Sequence, residues 1–143
     1  LYLKDGDGIL GIAYNAVIEN AIGGSNEDTI VGNSAANTLY GGAGAGVKDT
    51  LTGNGGADIF VCSLSDASTD LSVADIIFGF TNSSDKIGLE DRTFSDLTIS
   101  NASGPYSGKT QIVDTNSSKV LFLLDGIDAS LIDETDFVVT DFV

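Results

Sequence analysis

Between Gly23 and Val61 polar and apolar positions alternate in blocks, not singly. Each block opens with small, amide or acidic residues and closes with a few that are mostly β-branched, aliphatic or aromatic. The four blocks read GGSNEDTIV, GNSAANTLY, GGAGAGVKDTLT and GNGGADIFV. Three keep a nine-residue length, and the third carries three extra residues around Val47 and Lys48. Sixth positions hold Asp28, Asn37, Asp49 and Asp58, and eighth positions hold Ile30, Leu39, Leu51 and Phe60. A polar opening rich in glycine turns sharply, because glycine reaches positive φ without a Cβ penalty. The closing residues suit a short strand. Two blocks then make one coil with a strand in each of two opposed sheets. Every second block lands on the same side, so Asp28 is expected to face Asp49 in one row and Asn37 to face Asp58 in the other. A flexible glycine-rich linker would not keep an apolar residue at every eighth position.

The flanks carry other periods. Residues 1–22 read as a lead-in segment to the coil, and Glu19 stands nine residues before Asp28, at the sixth position of a degenerate earlier turn. Residues 62–75 form a polar loop with Asp66, Asp70 and Asp75, and 75–90 read strand–turn–strand around TNSS. LTIS at 97–100, KTQIVD at 109–114 and KVLFLL at 119–124 read as further strands. The last two are joined as an antiparallel hairpin by a second TNSS. Only 131–137 suggests a short helical turn. The expected fold is all-β: a right-handed parallel β-roll, then antiparallel strands packing as a small β-sandwich cap. The expected division is 1–22 lead-in, 23–61 repeats and 62–143 cap.

Stacked turns of this composition offer carbonyls and carboxylates at close range. An all-oxygen cage of six to eight ligands suits calcium, at about 2.3–2.6 Å per ligand, better than magnesium, which keeps its waters. Asp5-Gly6-Asp7-Gly8 does not make a helix–loop–helix calcium loop, since Ile9 and Ala16 would occupy positions that need oxygen ligands.

Composition narrows the rest. Twenty-one acidic against six basic residues leave a formal charge of −15. That excess opposes nucleic acid or an anionic membrane as partner, and it suits a fold that needs divalent cations to offset its own repulsion. Histidine is absent, so no His-based triad or His-containing zinc site is present, and no catalytic residues are expected in this chain. Cys62, the single cysteine, reads as a small buried hydrophobe. No apolar run approaches the roughly 18 residues of a membrane span. The start at Leu1, without methionine or signal peptide, reads as a cut from a longer protein.

IENAIGGSNEDTIVGNSAANTLYGGAG at 18–44 and DIIFGF…SSDKIGLE beyond it resemble the calcium-binding RTX (repeats-in-toxin) β-roll domain. The closest likeness is to the C-terminal domain of serralysin-type zinc metalloproteases. The resemblance implies calcium ligands at Val17 and Glu19 before the repeats. Within them it implies Gly24, Asn26, Asp28, Asn33, Ala35, Asn37, Gly42, Gly44, Asp49, Asn54, Gly56 and Asp58. Beyond them it implies Asp66, Asp75 and Asp85. The chain departs from the family at Asn37, where an amide replaces a carboxylate and should weaken its sites. It departs also at the insertion before Asp49, which could open the third turn, and at Gly88, where the family often has aspartate.

The resemblance further implies a secreted, extracellular module that folds on calcium. It would be joined to an upstream catalytic domain and exported by a type I secretion apparatus. The terminal groups Asp136-Phe137-Val138-Val139 and Asp141-Phe142-Val143 fit the export signal, so the last eight residues are expected to add little to the folded core. Two other readings use the same repeats: a polysaccharide-binding module of an alginate epimerase-like enzyme, or the terminal repeat of an RTX adhesin. An upstream H-E-x-x-H-x-x-G-x-x-H stretch would decide for the protease.

Overall fold

The computed structural model describes residues 8–11, 19–44, 46–90 and 92–141. Val17, Asp5–Asp7 and Phe142–Val143 lie outside that set. Strands are short: β1 Gly8–Gly11 and β2 Asn20–Ile22 fall in the lead-in, and the nine-residue blocks write β3 Asp28–Val31, β4 Thr38–Tyr40, β5 Thr50–Thr52 and β6 Ile59–Cys62. They continue as β7 Ile76–Phe78, β8 Lys86–Leu89, β9 Leu97–Asn101, β10 Lys109–Asp114, β11 Val120–Asp125 and β12 Phe137–Val139.

The strands sort into two sheets by the alternation the blocks predict. One sheet runs β1-β3-β5-β7-β11-β10-β9 and the other β12-β8-β6-β4-β2. Every pairing in the second is parallel. In the first, β1 to β11 pair in parallel and β11-β10-β9 antiparallel. The antiparallel strands therefore extend the same sheet that the coil builds. β7 and β8, read from sequence around one TNSS turn, lie in opposite sheets and make another coil of the roll.

Register stacks the eighth-position residues into two apolar columns. Ile30, Leu51, Ile77 and Leu124 run through one sheet. Ala21, Leu39, Phe60, Ile87 and Phe137 run through the other. Ile30, Leu39, Leu51 and Phe60 are fully buried in one cluster with Ile77, Ile87, Phe122 and Leu124. Each such side chain contributes roughly 1.5–3 kcal/mol of burial. One anchor per three- or four-residue strand is thin, and the turns must supply the remainder.

The C-terminal expectation needs correction. β12 pairs with β8, the Thr140 amide donates to the Leu89 carbonyl at 3.0 Å, and Phe137 packs on Phe94 with ring centroids 5.1 Å apart. Asp136 is fully buried. An apolar residue after an acidic cap extends the Ala21-to-Phe137 column, so Phe137–Val139, within the last eight residues, belong to the folded sheet. The short helical turn is present as two 3-10 turns, Ala129–Leu131 and Glu134–Asp136.

Candidate metal centre

Each sixth-position residue sits at the doorstep of a strand, where the turn closes. Within the first turn the Gly24 amide donates to Asp28 Oδ2 at 2.5 Å. In the second the Asn33 amide donates to Asn37 Oδ1 at 2.9 Å. This closure leaves no room for a side chain on the opening glycine: a Cβ on Gly53 would lie 2.1 Å from Asp58 Oδ2, and one on Gly41 would lie 2.2 Å from Asp49 Oδ2. The second contact bears on the insertion. Gly41 and Asp49 still meet as in the nine-residue blocks, and the extra residues are taken up in a separate turn where the Val47 amide reaches the Gly44 carbonyl at 2.8 Å.

Between turns the same side chains form two ladders. In one row the Asp28 amide donates to Asp49 Oδ1 and the Asp49 amide to Asp75 Oδ1, both at 2.8 Å. In the other the Asn37 amide donates to Asp58 Oδ1 at 2.8 Å and the Asp58 amide to Asp85 Oδ1 at 3.1 Å. The predicted rows are thus brought together, and Asp75 and Asp85 continue them by one coil. Asp85 also closes its own turn, accepting the Thr81 amide at 2.8 Å as a sixth-position residue does. Asp66 lies outside both rows and accepts the Gly44 amide at 2.5 Å.

The other predicted residues fall around these ladders. Gly24 and Gly42 face one another: Gly42 has φ +112°, and a Cβ there would stand 2.1 Å from the Gly24 carbonyl oxygen. Gly56, with φ +111°, approaches the Ala35 carbonyl in the same way. Asn54 takes a left-handed φ of 71° and donates from Nδ2 to the Gly32 carbonyl at 2.8 Å. Asn33 Oδ1 accepts the Ala35 amide at 2.8 Å. Asn26 and Glu19 are exposed, and the Glu19 carbonyl accepts the Thr38 amide at 2.7 Å.

The electrostatics are those of acids crowded without compensation. Asp28, Asp49, Asp58, Asp66, Asp75 and Asp85 are all buried. Burial first, then the charges of Asp28, Asp66 and Glu27, push Asp49 up to about 7 despite the Asp28 amide bond. Burial and then Asp85 push Asp58 up to about 6 against the Asn37 amide. Asp75 is held well above the carboxylate range by burial and by Asp49. Three buried oxygens in this region, Asp28 Oδ1, Asp58 Oδ2 and Asp66 Oδ2, have no hydrogen-bond partner. A buried carboxylate oxygen without a partner is costly, and a coordinated cation relieves it.

Among the described residues no three acidic side chains converge closely enough to hold an ion by themselves. A cage here must be completed by turn carbonyls and amide oxygens, which is calcium's preference and not that of zinc. The donor set is entirely oxygen, the ladders place carboxylates one coil apart, and orphaned oxygens remain. The residues present fit calcium.

Sequence reasoning missed two features. Glu90, just past β8, has a buried Oε1 without a partner, and it falls outside any nine-residue register. Asp136 is buried with Oδ2 accepting the Asp133 amide at 2.9 Å, a capping signal that D-E-T-D carried in plain view.

No curated protein matches the chain. The family model described as peptidase M10 serralysin C terminal matches residues 5–143, essentially the whole length. With its turns, ladders and parallel sheets in place, the chain belongs to the serralysin C-terminal family of the M10 peptidases.

Proposed function

We propose that this chain is a calcium-binding module whose turns close around the ion, folding outside the cell and stabilising the enzyme to which it is joined. The observation that carries the reading is the pair of amide-to-carboxylate ladders, with buried Asp28 and Asp58 oxygens left unpartnered between coils. In one row Asp28, Asp49 and Asp75 supply the charge, with carbonyl oxygens at Gly24, Asn26, Gly42 and Gly44. In the other Asp58 and Asp85 supply it, with Asn37 as a neutral oxygen and Asn33, Ala35, Asn54 and Gly56 completing the turns. Asp66 serves at the roll's exit, and Glu19 and Val17 at its start.

Calcium, when bound, supplies a divalent charge that cancels repulsion among these carboxylates. The chain's own residues do the rest. Glycines let carbonyls approach, amides hold each carboxyl in line, and the strands bury their anchors once the turns are fixed. Binding energy is then folding energy. In a cell poor in free calcium the roll would stay open and threadable, which suits a type I exporter, and folding outside would prevent return. The joined enzyme in this reading is a serralysin-like zinc endopeptidase in the same polypeptide. Among the described residues no helix is long and apolar enough to cross a membrane.

The test is circular dichroism of the purified chain. β-Structure is expected to collapse on adding EDTA and to return with calcium but not with equal magnesium. An unchanged spectrum in EDTA would refute the reading.

A further inference from the structure

The two sheets end unequally. Beyond β7 the larger sheet gains β11, β10 and β9, whereas beyond β8 the smaller gains β12 alone. β12 is therefore an edge strand, and among the described residues no strand pairs with its outer side. The Thr140 amide donates inward to the Leu89 carbonyl. Backbone groups alternate along a strand, so Val139 turns its N–H and C=O to the open side. Natural edges are blunted by lysine, proline or a bulge. Phe137-Val138-Val139 carries none of these and pairs with β8 without a register shift.

Val139 stands in register with Leu89, which is 1 % exposed, yet Val139 itself is 65 % exposed. A core-facing position is thus left uncovered. Beside it Leu89, Phe94, Phe137 and Val139 line a groove of about 200 Å³, with Glu134 among its walls. Phe94 comes from the 3-10 turn Phe94–Asp96 that leads into β9. The charge here is one-sided. Glu134, and Asp141 two residues beyond Val139, are exposed and form no ion pair among the described residues. Nearby cations are engaged: Arg92 is bound to Asp114, and the Lys86 charge acts on Asp133.

We propose that the β12 edge takes up an extended, basic polypeptide segment of another protein as a sixth strand of the smaller sheet. The segment's main chain bonds Val139, an apolar side chain of it fills the groove over Phe137, and its lysines or arginines meet Glu134 and Asp141. A second copy of this chain is the poorer occupant, because each copy carries a formal charge of −15. The site lies apart from the calcium turns and uses no ligand of theirs.

NMR of the ¹⁵N-labelled full chain in saturating calcium, titrated with a synthetic peptide of alternating valine and lysine, tests this. The amides of Glu134, Val138 and Val139 are expected to shift together, and the Val139 amide to gain protection from exchange. The same peptide N-methylated at every residue keeps its charge but has no N–H to donate, and should bind at least about tenfold more weakly. A valine–glutamate peptide should weaken likewise. Val139→Glu should lose the shifts while keeping its calcium-induced β spectrum. Equal binding of the N-methylated peptide, or shifts confined to the acidic turns, would show charge alone and overturn the proposal. Undiminished binding to Val139→Glu overturns it too. If that variant does not fold, the N-methylated peptide decides on the unaltered chain. A dimer in sedimentation that Val139→Glu abolishes gives the edge to a second copy and overturns the basic partner. A chain already folded in EDTA refutes the reading of the turns and leaves the edge standing.

Discussion

β3 and β5, and β9 to β11, lie in one sheet, yet they are held in it by different forces. β3 and β5 each bury one large apolar side chain, Ile30 and Leu51, and place Asp28 and Asp49 beside them in the interior. β11 buries Val120, Leu121, Phe122, Leu123 and Leu124 in succession, packed on both faces. The acids differ in the same sense. Asp114 pairs with Arg92, and its carboxyl is held low by the Ser117 hydroxyl and then by that guanidinium and nearby amides. Asp125 pairs with Lys109. Among the described residues those are the ion pairs, and both lie outside the repeats. The antiparallel part neutralises its acids from within the chain, whereas among the described residues the roll's acids form no ion pair, and in the proposed function an ion from solution takes that place.

Removing calcium should expose that difference most strongly. Hydrogen exchange in EDTA is expected to show the amides of Asp28, Asn37, Asp49 and Asp58 losing nearly all protection. The β10–β11 amides Ile112 and Leu124 should keep a measurable part of theirs. At calcium about 1,000-fold above Kd, each ion contributes about 4 kcal/mol, more than one apolar anchor per strand can replace. Equal loss in both regions would show a single cooperative unit and break the comparison.

Truncation tests where the cap ends. Removing 136–143 takes away β12, the Asp136 cap and the Phe137–Phe94 contact, and should cost roughly 3 kcal/mol or more. Replacing the exposed Asp141 by Ala should cost less than about 0.5 kcal/mol. Urea midpoints in saturating calcium measure both. A negligible effect of the longer deletion would return the tail to a purely secretory role.

The two regions also differed in how far they could be read. Ile30, Leu39, Leu51 and Phe60 were legible because one apolar residue per nine-residue block can only be the anchor. Asp28, Asn37, Asp49 and Asp58 were legible because the same register sets them at the turn's closing corner. The coil at 76–89 was not legible as a coil, since T-N-S-S-D closes like a repeat but lacks its glycines. The parallel pairing of β11 with β7 joins residues far apart in sequence, and nothing local encodes it. Glu90 was invisible as well, because it lies outside the nine-residue register and nothing local marks its buried Oε1.

Charge within one row gives a sharper test. Asp58→Ala removes a carboxylate that accepts the Asn37 amide and packs against Gly53. Its loss should raise the calcium midpoint for folding roughly 10- to 100-fold, the equivalent of a charge-assisted bond. Asn37→Ala removes only a neutral oxygen and should shift it several-fold less. Equal shifts would mean that geometry alone, not charge, governs the row.

Proton competition is the mildest effect and the one with a fixed sign. Without metal, Asp49 sits at about 7 and Asp58 at about 6, both raised from 3.8 by burial and neighbouring carboxylates. Below the ordinary value both states are protonated, and these groups contribute nothing to stability. As pH rises the unfolded chain ionises first while the folded one resists, so the metal-free roll loses stability between about pH 4 and pH 7 and stays weakest above. Calcium takes the ionised form, so its affinity must move the other way. Lowering pH from about 8 to about 5 should weaken calcium's affinity for the already folded roll, approaching tenfold per pH unit for each proton displaced, whereas the midpoint for folding the collapsed chain, whose carboxylates are already ionised, should stay nearly flat. Residual β-structure in EDTA should grow over the same interval. Asp49→Asn should flatten the dependence at its upper end, near pH 7, and Asp58→Asn nearer pH 6. A calcium affinity of the folded roll that is independent of pH across that range would mean that the carboxylates are already ionised in the metal-free fold. The roll would then differ from the antiparallel strands in geometry but not in charge.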